Sequence, residues 1–194
     1  MLTTAGIVAL IAMGAHLQTD PVDLASVAAN ESGLKTTAHN PGGDASGLWQ
    51  LMPSTARGLG WDVDNDPHLD KFRALSDVEQ MHWFEKYFRG HTGQMPSGTA
   101  VYMSTFCPAW LSHWTTPNWV ICGVSQKNPH LSDAQNAQWY RQNRGFDRAN
   151  RGYIIVQDLT DAIERATAAL PGWDALVTAI RALQCPAKPE PPAV

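Results

Sequence analysis

Asp20-Pro21-Val22-Asp23-Leu24-Ala25-Ser26-Val27-Ala28-Ala29-Asn30-Glu31-Ser32-Gly33 reads as one helix from its start signal to its stop signal. Asp20 can accept the free N–H groups of the first turn, and Pro21 suits a position whose N–H has no helical partner. Asp23 faces the positive end of the helix dipole, and Ser32-Gly33 ends the run. Leu24, Val27, Ala28 and Glu31 follow at i, i+3, i+4 and i+7, which places them on one stripe. One carboxyl therefore shares an inward face with three apolar side chains. It also sits in the last turn, where the negative end of the dipole disfavours its ionised form.

Helical signals continue on both sides of this stretch. Upstream, Leu2 to Leu17 is apolar, with Ile7, Leu10, Ile11 and Gly14 on one stripe, so it reads as a buried first helix. The first Lys or Arg is Lys35, so there is no positively charged leader and no clear signal peptide. The run is also too short and too interrupted to span a bilayer. Downstream, Pro53 starts a short helix toward Gly60. Ser76 with Glu79 forms a capping box for a helix to about Arg89. Further helices are predicted from Gly98 to Phe106, from Ser132 (capped with Gln135) to about Asn143, from Gln157 to Leu170, and from Trp173 to Gln184. No long alternating pattern marks a strand, although the Asn40-Pro41-Gly42-Gly43-Asp44 turn allows a small hairpin near residues 40–52. The expected fold class is mainly α, as one domain over residues 1–184, with a Pro-rich tail over 185–194 that reads as disordered or a linker stub.

Composition narrows the function. A net charge of −4 argues against nucleic acid as a partner and against bulk electrostatic adhesion to anionic walls or membranes. Eight tryptophans in 194 residues fill cores but also build the stacking walls of sugar sites. Cys107, Cys122 and Cys185 are an odd number and cannot close a disulfide framework. A Cys107–Cys122 bridge and a set of core thiols both remain open, and the bland thiol reading is favoured. Asp147, Gly152, Ile154 and Asp158 have the skeleton of a calcium-binding loop, but Ala149 and Arg151 occupy positions that should offer oxygens. The seven histidines show no ligand spacing. Neither a metal nor a cofactor is implied.

Glu31 does not stand alone. Glu31-Ser32-Gly33, a short loop, then Ala45-Ser46-Gly47-Leu48-Trp49-Gln50-Leu51-Met52-Pro53-Ser54-Thr55-Ala56 with Leu59-Gly60, resembles the soluble lytic transglycosylase family of the goose-type lysozyme-like superfamily. The resemblance is detailed over about residues 20–60 and loose elsewhere. It implies a lysozyme-like helical domain that cleaves peptidoglycan, with Glu31 as general acid and base and Ser32 orienting it by a hydrogen bond. Ser46, Gly47, Gln50 and Met52 would line the groove that holds N-acetyl sugars, with Gly47 letting the backbone approach the substrate closely. The family's third signature departs here: Tyr102-Met103-Ser104-Thr105-Phe106-Cys107-Pro108-Ala109 stands in place of the usual tyrosine segment, a variant similar to members found in bacteriophage particles. Phe106 then takes the tyrosine's place without its hydroxyl, and Tyr102, one turn earlier, can compensate.

The resemblance implies a lytic transglycosylase acting on the β-1,4 bond between N-acetylmuramic acid and N-acetylglucosamine and leaving 1,6-anhydro ends. Two alternatives stay open. One is a muramidase or chitinase-like hydrolase that uses Asp44 or a positioned water, since hydrolysis needs a second carboxylate or a held water. The other is an inactive structural or wall-binding virion subunit. Delivery in a virus particle, with other virion proteins as partners, and delivery to the periplasm or cell wall both fit the sequence, whether its origin is phage or bacterial.

Overall fold

The computed structural model describes residues 1–184, so the Pro-rich tail, including Cys185, lies outside the described residues. In chain order, the first elements are α1 (Thr4–Leu17), α2 (Pro21–Ser32), β1 (His39–Asn40), β2 (Ala45–Ser46), α3 (Pro53–Gly58), α4 (Asp70–Arg73) and α5 (Asp77–Phe88). They are followed by α6 (Gly98–Phe106), β3 (Val120–Gly123), α7 (Asp133–Asn143), β4 (Tyr153–Ile155), α8 (Val156–Ala169) and α9 (Trp173–Gln184). Short 3-10 turns at Arg89–His91, Pro108–His113 and Arg144–Phe146 join several of these. The architecture is mainly α with two small hairpins.

Helix α2 is the central element. Asp20 accepts a 2.8 Å hydrogen bond from the Val22 N–H, and Gly33 ends the helix in the left-handed conformation. Leu24, Ala25, Val27, Ala28 and Ala29 are all buried, and α2 packs against α1, α6 and α8. Its small residues let those helices approach closely, while α1 also lies along α5 and α9. One hydrophobic core runs from Ile7 to Ile180. Among the described residues, no helix is long and apolar enough to cross a membrane.

The first hairpin pairs His39 with Ser46 and Asn40 with Ala45, and an isolated bridge joins Ser46 to Leu51. Gln80 of α5 fixes its position. That buried side chain accepts the Leu48 N–H at 3.1 Å and donates to the Thr36 and Phe72 carbonyls. Trp49 lies beneath, with its ring centroid 4.8 Å from Phe84 and its indole N–H bonded to the Leu24 carbonyl at 3.0 Å.

The second hairpin, β3 with β4, was not expected from the sequence. Val120 pairs with Ile155 and Gly123 with Tyr153, across about thirty residues of intervening chain. The segments are too short for an alternating pattern to show, and only tertiary packing selects the strand conformation. Helix α4 was missed for the same reason: four residues carry no periodicity. Cys107 and Cys122 are both buried and free, and burial pushes each thiol up to about 12, which leaves them inert core groups. In the calcium-like segment, the Arg151 guanidinium contacts both the Asp147 and Asp158 carboxylates.

Candidate active site

A cleft of about 380 Å³ opens over the C-terminal turn of α2. Glu31 lies in it, and it is the only carboxylate among the described residues that line the cleft. The hairpin segment contributes Trp49, Gln50, Leu51 and Met52, and α3 contributes Thr55. Tyr87 comes from α5, Tyr102, Thr105 and Phe106 from α6, and Asn143 and Phe146 from the end of α7 and the turn after it.

Burial raises the Glu31 carboxyl above its ordinary value, while a hydrogen bond from the Tyr102 hydroxyl pulls the other way, and burial prevails. Tyr102 is itself almost fully buried. Burial first, then the nearby Glu31 charge, pushes its phenol well above the usual tyrosine range, so it stays a proton donor. The Asn30 side-chain amide donates to the same phenol oxygen at 2.8 Å. Tyr87 is also raised, by burial and then by the charge of Glu31, which sets a second neutral phenol beside the acid. The arrangement places one carboxylic acid, whose burial favours its protonated form, in a cleft with aromatic walls, as donation to a glycosidic oxygen requires.

The residues singled out from the sequence separate into two groups. Glu31, Gln50, Met52, Tyr102 and Phe106 all line the cleft. Gln50 stands at φ +51 and turns its amide back to the Gly47 carbonyl at 3.1 Å, while Met52 is 42% exposed at the rim. Phe106 supports the wall, its centroid 5.6 Å from Phe146, which in turn lies 5.7 Å from Tyr102.

Ser32, Ser46 and Gly47 need correction. The Ser32 hydroxyl meets the Ala28 carbonyl at 2.9 Å and the Leu48 carbonyl at 2.8 Å. It ties the helix end to the hairpin and positions Glu31 through the backbone. Ser46 is fully buried, bonded to the Asp44 carbonyl at 3.0 Å and accepting from Arg73 at 2.9 Å. Gly47 is buried at φ +78, where a Cβ would stand 2.5 Å from the Gln80 side-chain oxygen and 2.9 Å from Phe72. Core packing beneath the cleft by itself requires glycine here. Asp44 does not line the cleft either: its carboxylate meets His68 at 3.0 Å and His39 at 3.1 Å, and those bonds hold it below the usual carboxylate range.

Sequence reasoning missed Tyr87, Thr55, Thr105, Asn143 and Phe146. Tyr87 ends a well-capped helix, but nothing in the spacing says that its ring reaches Glu31. Phe146 lies beside Asp147, where the metal-like pattern drew attention to the neighbour.

Residues 10–82 match the transglycosylase SLT domain family. That stretch of the chain is similar to SLT-type transglycosylase domains. The matched span includes α2, the first hairpin and α3, so it contains Glu31 and the hairpin side of the cleft. Neither the curated proteins nor the solved structures gave a match. The similarity to SLT domains, on a mainly α scaffold, supports a peptidoglycan-cleaving function of the lytic transglycosylase type. The α6 and α7 side of the cleft lies beyond the matched residues.

Proposed function

We propose that the protein is a lytic transglycosylase that cuts the β-1,4 bond between N-acetylmuramic acid and N-acetylglucosamine, with Glu31 as its one acid/base group. The observation that carries this reading is the solitary Glu31 carboxyl in an aromatic cleft, where burial shifts it toward its protonated form. Hydrolysis by either usual route needs a second carboxylate, as nucleophile or as base for water, within about 5–9.5 Å of the first. Among the described residues, none lines the cleft. Asp44, the sequence's other candidate, is occupied by two imidazoles.

The reaction then needs only one group. Glu31 donates its proton to the glycosidic oxygen as the bond from the muramic acid C1 to that oxygen breaks, freeing the N-acetylglucosamine hydroxyl. The muramic acid 6-hydroxyl attacks C1 and gives its proton to the Glu31 carboxylate, which restores the acid and closes a 1,6-anhydro ring. Tyr102, bonded to Glu31, steadies the carboxylate between the two transfers.

Mass spectrometry of products from purified murein tests the proposal. Anhydro ends, one water lighter than reducing ends, are expected, with Asp44→Asn near normal in rate. Reducing ends together with an inactive Asp44→Asn protein would turn the assignment to a muramidase. No product at all would leave a wall-binding protein.

A further inference from the structure

Asn143 and Phe146 face two depressions at once, the Glu31 cleft and an adjoining pocket of about 500 Å³. Asn30 of α2, Arg148 after the last 3-10 turn and Arg165 of α8 complete the key walls of that second pocket. Both arginines are exposed, and neither forms an ion pair among the described residues. Of the acids on the same segments, Asp147 and Asp158 hold Arg151, while Asp161 accepts from the neutral Gln157 amide and does not line the pocket. Glu164 neighbours Arg165 in sequence, but adjacent residues on a helix point apart, and it does not line the pocket.

The charged donors in this pocket are the two guanidinium groups, beside the side-chain amides of Asn30, Gln142 and Asn143. Asn30 spends an amide N–H on Tyr102, and Asn143 spends one on the Trp139 carbonyl. Two unpaired guanidinium groups over one pocket, on a chain of net charge −4, favour a carboxylate, which arginine binds through paired N–H donors. The pocket opens beside the cleft, so its ligand belongs on whatever strand the cleft holds. We infer that this pocket binds the carboxylates of the acidic peptide carried by the glycan strand in the cleft. This rests on the glycan-cleaving reading above and makes Arg148 and Arg165 specificity residues.

The test compares peptide-bearing murein strands with the same strands stripped of peptide by an amidase. The Arg148→Gln/Arg165→Gln double variant should lose about tenfold or more in kcat/KM on peptide-bearing strands, chiefly through KM, and cut stripped strands at the normal rate. The Arg148→Lys/Arg165→Lys pair should retain most of the preference. Equal loss on both substrates, or no loss on either, overturns the inference. Titration of the free acidic peptide into the full-length chain, followed by amide NMR shifts, separates its failure from that of the cleavage reading. Shifts at the pocket that vanish in the glutamine pair support the pocket even where no strand is cut. An absence of shifts overturns it.

Discussion

The Tyr102 hydroxyl stands beside the Glu31 carboxyl, whose ionised form it favours, while accepting an N–H at 2.8 Å from Asn30, the residue that precedes the acid on α2. A phenol from α6 thus closes a small circuit with two consecutive residues of α2, and both helices must keep their spacing for it to persist. Removing only the oxygen tests its worth. Tyr102→Phe should fold, because the ring keeps its contacts with Phe106 and Phe146. Murein cleavage should fall about 10- to 100-fold, the cost of one hydrogen bond to a charged group. The bond favours the ionised acid, so its loss should move the alkaline limb of the pH–rate profile upward. A limb that stays in place or moves down would show that Tyr102 does not act on Glu31.

Glu31→Gln should abolish cleavage, because an amide cannot donate the proton, and should also stabilise the protein at neutral pH. Burial raises the folded carboxyl above its unfolded value. The stability tied to it is therefore complete below the unfolded value and declines as pH rises through the folded one. The variant carries no charge to bury and escapes that decline. Its melting temperature should exceed the parent's at pH 7, by about 2–4 °C per kcal/mol, with the gap closing toward pH 4. A gap independent of pH would place the acid in water.

Gly47→Ala should fail through folding. The new methyl meets Gln80 and Phe72 at a left-handed backbone position, and strain plus overpacking together cost about 2–4 kcal/mol. Thermal unfolding should drop by about 5–15 °C. An unchanged midpoint with lost activity would return Gly47 to the substrate.

Arg151 supplies a cation to two acids that carry little or no solvent exposure. Arg151→Ala should cost about 3–5 kcal/mol, the usual result of leaving buried charge unpartnered. For the unaltered protein, melting with calcium and with a chelator should coincide. A reproducible rise of several degrees at micromolar calcium would mean that the ion displaces the guanidinium.

Much of this was legible because it is local. Asp20, Pro21 and Gly33 bracket α2, and Ser76 with Glu79 brackets α5, each through groups within a turn of one another. The Glu31 stripe predicted an inward acid from periodicity alone. Contacts made at a distance were not legible: Tyr87 beside Glu31, Gln80 under Gly47, and the pairing of β3 with β4. Ser32 and Gly47 were recognised by type, but their contacts with Leu48, Gln80 and Phe72 were not legible, because a motif preserves residues without saying what they touch.

The sides of the cleft are held by different forces. On the hairpin side, Ser32 to Leu48, Gln80 to Leu48 and Trp49 to Leu24 are directional bonds, and any slide of the floor would break them together. On the opposite side, Phe146 rests on Tyr102 and Phe106 through ring contacts, which tolerate small displacements at little cost. The cleft is thus a vice with one fixed jaw and one compliant jaw. On the proposed function, a strand bearing bulky or missing substituents would be accommodated by movement of Phe146 and its turn, with Glu31 keeping its place.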